Sequence, residues 1–411
     1  MSVHSDRSGH APPDQGSSPH VAEGPAPALA ATQPRAERSP DDGAGLVQLL
    51  NPEGERVPDA RFDHVVADVA TDALASLYRD MALVRRVDRE ATTLQRQGEL
   101  GLWAPLLGQE AAQVGAGRAL ADRDMAFPSY REHGVAWCRG IDPTALLGLF
   151  RGTDNGSWDP LAARFHLYTI VIGNQCLNAV GYAMGQRFEG RVGGGPASAD
   201  EATMCFFGDG ATSQGDVHEA FVWAAVYDAP VVFYCQNNQW AISAPTAQQT
   251  RVPLYRRAQG YGFPGIRVDG NDVLACLAVS RWALDECRSG NGPVLIEAFT
   301  YRMDAHTTSD DPTRYRLSGE LEVWKLRDPL ERVRVHLVRS HGLGQEYFDG
   351  VEAEADALAA RLRAACLDLP TPGPERIFSD VYVEPSPPLE AERDAFLAYL
   401  GSSDSLEKAG E

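Results

Sequence analysis

The chain has 411 residues, 44% of them hydrophobic, and 37 Lys and Arg against 57 Asp and Glu give it a net charge of −20. This length is sufficient for a large buried core. Binding to nucleic-acid phosphates or acidic lipid surfaces needs clustered Lys and Arg, so a chain this acidic disfavours nucleic acid and membrane surfaces as partners.

The first 45 residues are rich in Ala, Pro, Ser, Gly and Asp and have almost no branched apolar or aromatic side chains. Such a segment cannot bury enough surface to offset the entropy of ordering, which predicts a disordered leader over residues 1–45. It lacks the apolar stretch of about 7–15 residues that a secretory signal has. It also contains several Asp and Glu residues, whereas a mitochondrial transit peptide would be poor in acidic residues. The sequence therefore predicts a cytoplasmic protein.

The seven cysteines are scattered and include no C-x-x-C pair, which indicates reduced thiols and neither a disulfide framework nor a zinc site. Spanning a bilayer takes about 20 consecutive apolar residues. The longest candidate, 220–235, is shorter and contains Asp228 and Pro230, so no transmembrane helix is expected.

From residue 46 onward, apolar periodicity predicts alternating helices and strands. In chain order these are helices over 65–96, 109–120 and 175–188, a Gly-rich turn at 193–195, strand 203–207, helix 216–227, strand 230–235, strand 265–268, helix 272–288, strand 293–300, and further helices over 320–400. Short apolar strands alternating with helices favour an α/β fold with a mainly parallel sheet covered by helices on both faces. We expect one domain over residues 46–400, with peripheral N- and C-terminal helices, and a flexible tail over 401–411.

Two polar clusters follow neighbouring predicted strands. Gly208-Asp209-Gly210 ends the first strand, and Gln236-Asn237-Asn238 ends the second. In an open parallel sheet, ligands bind beyond the carboxyl ends of the strands, so both clusters can meet one ligand. The glycines allow close approach to a phosphate, the amides that open the next helix favour an anion, and Asp209 and Asn238 offer the oxygen ligands that Mg²⁺ prefers. The sequence therefore predicts a metal-diphosphate site.

Each cluster alone has a simpler interpretation. Gly-Asp-Gly is commonly a tight turn, and Asn-Asn is commonly a polar turn. Here, however, the two motifs end buried strands that are separated by one helix, with 26 residues between Gly210 and Asn237. This combination favours the functional interpretation.

The same spacing is the thiamine diphosphate fingerprint, and the surrounding sequence resembles the alpha subunit of the heterotetrameric 2-oxo acid dehydrogenases. The resemblance covers residues 46–397. Besides the fingerprint it is carried by five motifs: QRQGEL at 95–100, GQEA at 108–111, FPSYRE at 127–132, VDGNDV at 268–273 and YRMDAHTTSDDPTRYR at 301–316.

The resemblance implies a site made of two sets of residues. The Mg²⁺ ligands would be Asp209, Asn238 and the main-chain carbonyl of Trp240. The cofactor-binding residues would be Tyr130, Arg131, Ile170, Ile172, Gly210, Ala211, Gln236 and His306, with the two isoleucines lying along the cofactor. Arg131 also suits the role chemically, since a guanidinium offers a planar fork of donors to phosphate oxygens, although an arginine is otherwise most often in a surface ion pair.

The sequence departs from the family at three places. Gln236 stands where mitochondrial relatives often have Arg, so it offers a hydrogen bond without a charge. Thr169-Ile170-Val171 replaces a Ser/Pro segment that holds potassium in some relatives, which leaves a potassium site in doubt. Asp304-Ala305 precedes His306 where many relatives have Gly and His.

His306 is the candidate catalytic residue. A lone histidine in a polar loop is usually only exposed, but this loop follows a strand that ends at the same sheet edge as Asp209 and Asn238. A neutral or weakly basic imidazole can donate a proton near pH 7. The resemblance implies that His306 aids acyl transfer to lipoamide and that Thr307 occupies the place of a regulatory phosphoserine.

The resulting hypothesis is the alpha subunit of a 2-oxo acid dehydrogenase, with thiamine diphosphate and Mg²⁺ as cofactors. Its partners would be a beta subunit, in an α2β2 heterotetramer, and the lipoyl domain of the acyltransferase component; the beta subunit would supply the proton-relay Glu. The loop over 304–312 favours branched-chain 2-oxo acids, with pyruvate next and acetoin third. The alternative from another class is a non-catalytic phosphate-binding regulatory module.

Overall fold

The computed structural model describes residues 45–194, 200–379 and 381–409. The predicted leader over 1–45 lies outside this part except for Gly45, and so does Gly195 of the predicted Gly-rich turn. Within the described part, no helix is both long and apolar enough to cross a bilayer.

Six strands form one parallel sheet, and two short strands form a separate hairpin. The sheet contains β1 (Leu46–Val47), β2 (Met125–Phe127), β3 (Thr203–Gly208), β4 (Val231–Asn237), β7 (Gly265–Asp269) and β8 (Val294–Phe299), and the hairpin contains β5 (Trp240–Ala241) and β6 (Ala244–Pro245). The order across the sheet is β1-β7-β8-β4-β3-β2, and every neighbouring pair is parallel.

Fourteen α-helices accompany these strands in the described part. They are α1 (Thr71–Arg96), α2 (Glu110–Ala119), α3 (His133–Cys138), α4 (Pro143–Arg151), α5 (Pro160–Ala163), α6 (Asn174–Phe188), α7 (Gly215–Val226), α8 (Thr246–Gln249), α9 (Arg257–Tyr261), α10 (Val273–Arg288), α11 (Ser318–Lys325), α12 (Pro329–His341), α13 (Gln345–Leu367) and α14 (Pro387–Ala409). Several begin at an aspartate whose side chain accepts from the first-turn amides, as Asp272 does for α10 and Asp328 for α12.

The strand side chains alternate between two hydrophobic clusters, one on each face of the sheet. Met204 and Phe206 of β3 pack with α1, α2 and α10, whereas Cys205 and Phe207 pack with α6 and α7. Because both faces are covered, the strands are continuously apolar. This confirms the predicted α/β fold with helices on both faces of a parallel sheet.

The predicted elements recur with small shifts at their ends. The first long helix begins at Thr71 and not near residue 65, because Asp63–Val66 forms a separate 3₁₀ turn. Strands β1 and β2 were not predicted, since two or three residues are too few to show a period. Helix α14 extends into the predicted tail as far as Ala409, and flexibility over 401–411 stays a prediction.

Candidate active site

Four neighbouring strands of the sheet end at one edge, and each is followed by a predicted site residue. In the parallel register Gly208 of β3 lies opposite Gln236 of β4, and Asn237 lies opposite Phe299 of β8. Strand β2 pairs with β3 on the other side. Polar residues from loops that are distant in sequence therefore meet at the carboxyl edge, where open α/β sheets bind ligands.

Asp209 follows β3 directly and is 2% exposed. Its Oδ2 accepts hydrogen bonds from Thr246 Oγ1 at 3.1 Å and from Gln249 Nε2 at 2.9 Å. Burial raises the pKa of Asp209 to about 6, although both hydrogen bonds oppose the shift. The carboxylate is thus buried among neutral donors, a setting in which a cation would favour its charged form.

Asn238 follows β4 and is held by a second amide. Its Nδ2 donates to Gln109 Oε1 at 2.8 Å, and its Oδ1 accepts from the Trp240 amide at 3.2 Å. Gln109 is 1% exposed, and its own Nε2 is a buried donor with no acceptor among the described residues. A buried donor of this kind beside Asn238 suits an oxygen-rich ligand.

The Trp240 main-chain carbonyl already accepts a hydrogen bond from an arginine side chain. Arg302 Nη1 donates to this oxygen at 2.8 Å, and Arg302 Nη2 donates to the Ile242 carbonyl at 2.7 Å. A carbonyl oxygen has two lone pairs, so the predicted role of Trp240 as a metal ligand is compatible with this hydrogen bond.

Gly210 and Ala211 lie in a 3₁₀ turn, Asp209–Ser213, between β3 and α7. A Cβ on Gly210 would lie 2.7 Å from the Ala241 Cβ, well inside contact distance. Glycine at position 210 therefore allows the β5–β6 hairpin to close over the turn. Ala211 is buried, and its backbone amide is the group that the sequence assigns to a phosphate.

Tyr130, Arg131 and His306 form the second half of the cluster. Arg131 Nη2 donates to the His306 carbonyl at 2.8 Å and lies 3.2 Å from His306 Nδ1, while Nη1 donates to the Pro105 carbonyl. The Tyr130 hydroxyl lies 3.4 Å from His306 Nε2. The sequence predicted these three residues as neighbours, and the structure brings them together.

Two guanidinium groups lie against the same ring nitrogen of His306, since Arg131 Nη2 is 3.2 Å and Arg302 Nη1 is 3.3 Å from Nδ1. Burial, reinforced by Arg131 and Arg302, lowers the pKa of His306 to about 3. The imidazole is therefore neutral at pH 7, able to donate one hydrogen bond but not the proton of an imidazolium. Asp310 holds the loop itself, since its Oδ2 accepts from the His306 amide at 2.9 Å.

Gln236 is buried and belongs to a chain of side-chain hydrogen bonds. Its Nε2 donates to Glu132 Oε1 at 2.7 Å, and its Oε1 accepts from Gln113 Nε2 at 3.1 Å. Glu132 also accepts from the Ser129 amide and hydroxyl, and burial raises the pKa of this acid. One Gln236 amide hydrogen is thus directed at Glu132, which leaves a single N–H for a diphosphate.

Ile170 and Ile172 have no hydrogen-bonding role and lie in the loop before α6. They are 67% and 41% exposed, an unusual state for two large apolar side chains so close in sequence. Their predicted contact with a cofactor stays a prediction.

Sequence reasoning missed several residues that position the cluster: Gln113, Thr246, Gln249 and Arg302. Gln109, Glu132 and Arg302 stood inside recognised motifs but were given no role. These three carried a signal that could have found them, because Gln113, Thr246 and Gln249 reach the site through the fold and not through spacing.

The donor set fits a magnesium diphosphate. The described residues contain no group of three or more His, Cys, Asp or Glu side chains that could hold a metal. The cluster instead combines one carboxylate, one amide oxygen and one carbonyl, all hard oxygens, with the Arg131 guanidinium beside them. A cation that keeps water and phosphate oxygens as further ligands suits such a set, and Mg²⁺ binds in this way.

A parallel α/β sheet with this cluster at its carboxyl edge defines a cofactor-binding α/β protein. Residues 78–365 match the family model described as the dehydrogenase E1 component, and the chain belongs to this family. The resemblance drawn from the sequence motifs is confirmed.

Two named relatives extend over most of the chain. The 3-methyl-2-oxobutanoate dehydrogenase subunit alpha of Mycobacterium tuberculosis (strain CDC 1551 / Oshkosh) is 45% identical over 360 residues, which is 87% of this chain and 95% of that protein. The pyruvate dehydrogenase E1 component subunit alpha of Acholeplasma laidlawii is 35% identical over 335 residues, 80% of this chain and 94% of that one.

A third relative comes from a plant. The mitochondrial 2-oxoisovalerate dehydrogenase subunit alpha 2 of Arabidopsis thaliana is 35% identical over 356 residues, which is 82% of this chain and 71% of that protein.

Acidification provides a test of the His306 environment. Its pKa is lowered from 6.5 to about 3, so below pH 6.5 the unfolded chain binds the proton that the folded chain refuses. The contribution of His306 to stability is therefore present above pH 6.5 and is lost as the pH falls toward 3. Compared with His306→Gln by urea unfolding, the wild type should lose stability relative to the variant across this window. If the stability difference between the wild type and His306→Gln does not change with pH, the lowered pKa of His306 is contradicted.

Proposed function

We propose that the chain binds thiamine diphosphate and Mg²⁺ at the carboxyl edge of its sheet, as the alpha subunit of a 2-oxo acid dehydrogenase. The observation that carries this proposal is the meeting of four strand ends, which gathers Arg131, Asp209, Asn238 and His306 in one cluster. A non-catalytic phosphate-binding module would need no such combination of a metal-type ligand pair, a buried guanidinium and a partly buried imidazole.

Each residue of the cluster has a role in holding the cofactor. Asp209, Asn238 and the Trp240 carbonyl hold Mg²⁺, which serves as a template and charge clamp for the diphosphate. Tyr130, Arg131, Gln236 and the amides of Gly210 and Ala211 bind the diphosphate oxygens. Ile170 and Ile172 contact the rings of thiamine diphosphate. The bound cofactor supplies the carbon nucleophile and electron sink that decarboxylation of a 2-oxo acid requires.

His306 acts at the next stage, the transfer of the acyl group to lipoamide. As a neutral imidazole it donates one hydrogen bond, and Arg131 and Arg302 beside it fix its ring and disfavour its charged form. The diphosphate of the bound cofactor would add negative charge near the His306 ring and move its pKa upward, toward the range that suits proton transfer.

Branched-chain 2-oxo acids of the 3-methyl-2-oxobutanoate type are the proposed substrates. The 45% identity to the M. tuberculosis 3-methyl-2-oxobutanoate dehydrogenase subunit alpha, over nearly the whole of both chains, supports this choice over pyruvate, whose named relatives are 35–37% identical. The loop over 304–312 points the same way. Pyruvate is the second candidate, and an acetoin-type substrate the third.

A beta subunit completes the enzyme in an α2β2 heterotetramer that works with the lipoyl domain of a dihydrolipoyl acyltransferase, in the cytoplasm. The relatives are named as alpha subunits, and the exposed Ile170 and Ile172 provide an apolar surface that a cofactor and a second chain would cover. The domain over residues 46–400 stays a prediction. Phosphorylation of Thr307, whose Oγ1 lies 3.0 Å from Ser309 Oγ, also stays a prediction.

Removing the Asp209 carboxylate should abolish Mg²⁺-dependent binding of thiamine diphosphate. Calorimetry on the heterotetramer containing Asp209→Ala should show no binding heat that depends on Mg²⁺, because the remaining ligands are neutral. Asp216→Ala removes an equal charge from an exposed position seven residues on and should bind like the wild type. Wild-type protein that fails to bind the cofactor with Mg²⁺ would overturn the proposed function.

The histidine should matter for acyl transfer more than for decarboxylation. His306→Ala should leave decarboxylation measurable with an artificial electron acceptor, while reductive acylation of a lipoyl domain falls about 100-fold, within the range of general acid-base contributions. Equal rates for variant and wild type in both assays would remove His306 from the mechanism.

Substrate preference can be measured directly. The reconstituted heterotetramer should show a kcat/KM for 3-methyl-2-oxobutanoate at least about 10-fold above that for pyruvate, since each buried methyl or methylene group contributes about 1–3 kcal/mol to discrimination. The reverse order would assign the chain to the pyruvate branch and leave the cofactor site unaffected.

A further inference from the structure

Both side-chain hydrogen bonds to the Asp209 carboxylate fall on one of its two oxygens. Thr246 Oγ1 and Gln249 Nε2, at 3.1 and 2.9 Å, both donate to Oδ2. The Asp209 backbone amide is a further donor to this carboxylate. Among the described residues, Oδ1 receives no side-chain hydrogen bond and is the oxygen that can face a cation.

Thr246 is itself fixed to the end of β4, and Gln249 approaches strand β6 of the hairpin. They are the first and last residues of helix α8, the Thr246 amide donates to the Gln239 carbonyl at 3.0 Å, and Gln249 Nε2 lies 3.4 Å from the Ala244 carbonyl. Thr246 Oγ1 also lies 3.1 Å from Asn237 Oδ1. The orientation of the Asn237 amide is set in turn by its Nδ2, which donates to Glu297 at 2.7 Å.

The other side-chain ligand is presented in the same way. Asn238 gives its Nδ2 to Gln109, so only its Oδ1 can face a cation. Its Oδ1 also accepts from the Trp240 amide at 3.2 Å, so the second lone pair of this oxygen is what Asn238 can offer to a cation. Supporting hydrogen bonds of this kind orient metal ligands and tune metal affinity.

We propose that Thr246 and Gln249 are positioning residues that keep Asp209 a one-oxygen ligand and thereby favour Mg²⁺ over Ca²⁺ at this site. The inference rests on the proposed function, because it concerns the metal that the cofactor requires. Mg²⁺ demands near-octahedral geometry at about 2.0–2.1 Å, which one carboxylate oxygen satisfies. Ca²⁺, at about 2.3–2.6 Å with six to eight ligands, accepts both oxygens of a carboxylate, which the two donors disfavour here.

Removing the donors should therefore change metal preference and not only metal affinity. In the complete heterotetramer, thiamine diphosphate binding is titrated with Mg²⁺ and, separately, with Ca²⁺, and the ratio of the two half-saturating concentrations is compared between proteins. Thr246→Val and Gln249→Met should raise the half-saturating Mg²⁺ concentration about 10-fold, the lower end of the usual effect of losing such support. The half-saturating Ca²⁺ concentration should change much less.

Matched variants separate this role from general damage to helix α8. Thr246→Ser keeps the hydroxyl and should retain the wild-type ratio. Thr250→Val and Gln248→Met change the same side-chain types next to α8 or within it, at positions that make no hydrogen bond to Asp209, and should also behave like the wild type. A merely structural defect would weaken both metals together and leave the ratio unchanged.

The possible results are distinct. A ratio that shifts toward Ca²⁺ in Thr246→Val and Gln249→Met, with Thr246→Ser unchanged, supports the proposal. An unchanged ratio in Thr246→Val and Gln249→Met, or an equal shift in Thr246→Ser, overturns it while the proposed function stands. Wild-type protein that binds the cofactor with neither metal overturns the proposed function, and this inference with it.

Discussion

The parallel hydrogen-bonded register of β2, β3, β4 and β8 is the constraint on which the site depends. Residues near positions 130, 209, 238 and 306 are far apart in the chain, yet the strands that precede them pair side by side and point the same way. Because side chains alternate along a strand, a slip of one residue would move every side chain of that strand to the opposite face of the sheet. Both faces of these strands are buried, with Met204 and Phe206 in one cluster and Cys205 and Phe207 in the other, so a slip would disturb two cores at once.

The local charge at this edge differs from the charge of the whole chain. The sequence carries −20, but the site places the Arg131 and Arg302 guanidinium groups against the same ring nitrogen of His306, with the carboxylates of Asp209 and Asp310 also at this edge. Glu132 is a further acid, and burial raises its pKa, which favours the neutral form. An anionic ligand at this edge would therefore meet two guanidinium groups balanced by two carboxylates inside an acidic protein, while the acidic surface continues to disfavour nucleic acid.

The sequence was informative where a residue's environment follows from its own neighbours. The long central elements and the polar residues at their ends were predictable because hydrophobic periodicity and turn-forming residues are local signals in the sequence. Strands β1 and β2 were missed because they are too short to show a hydrophobic period. The start of the first helix was predicted several residues too early because Asp63–Val66 forms a separate 3₁₀ turn before it. Thr246, Gln249 and Arg302 were missed for another reason: the partners that define their roles, Asp209 for the first two and Trp240 for Arg302, lie tens of residues away, and only tertiary folding brings them together.

The distribution of polar and apolar groups separates what this chain supplies from what a partner must supply. The polar half of the site is oriented by the chain itself, with Asp209, Asn238, Gln236 and Arg131 each held by other side chains or by main-chain carbonyls. The apolar residues assigned to the cofactor, Ile170 and Ile172, remain exposed. Covering apolar surface is worth about 25 cal/mol per Å². Binding of the cofactor and docking of a beta subunit would thus draw on the same exposed surface, and each would strengthen the other.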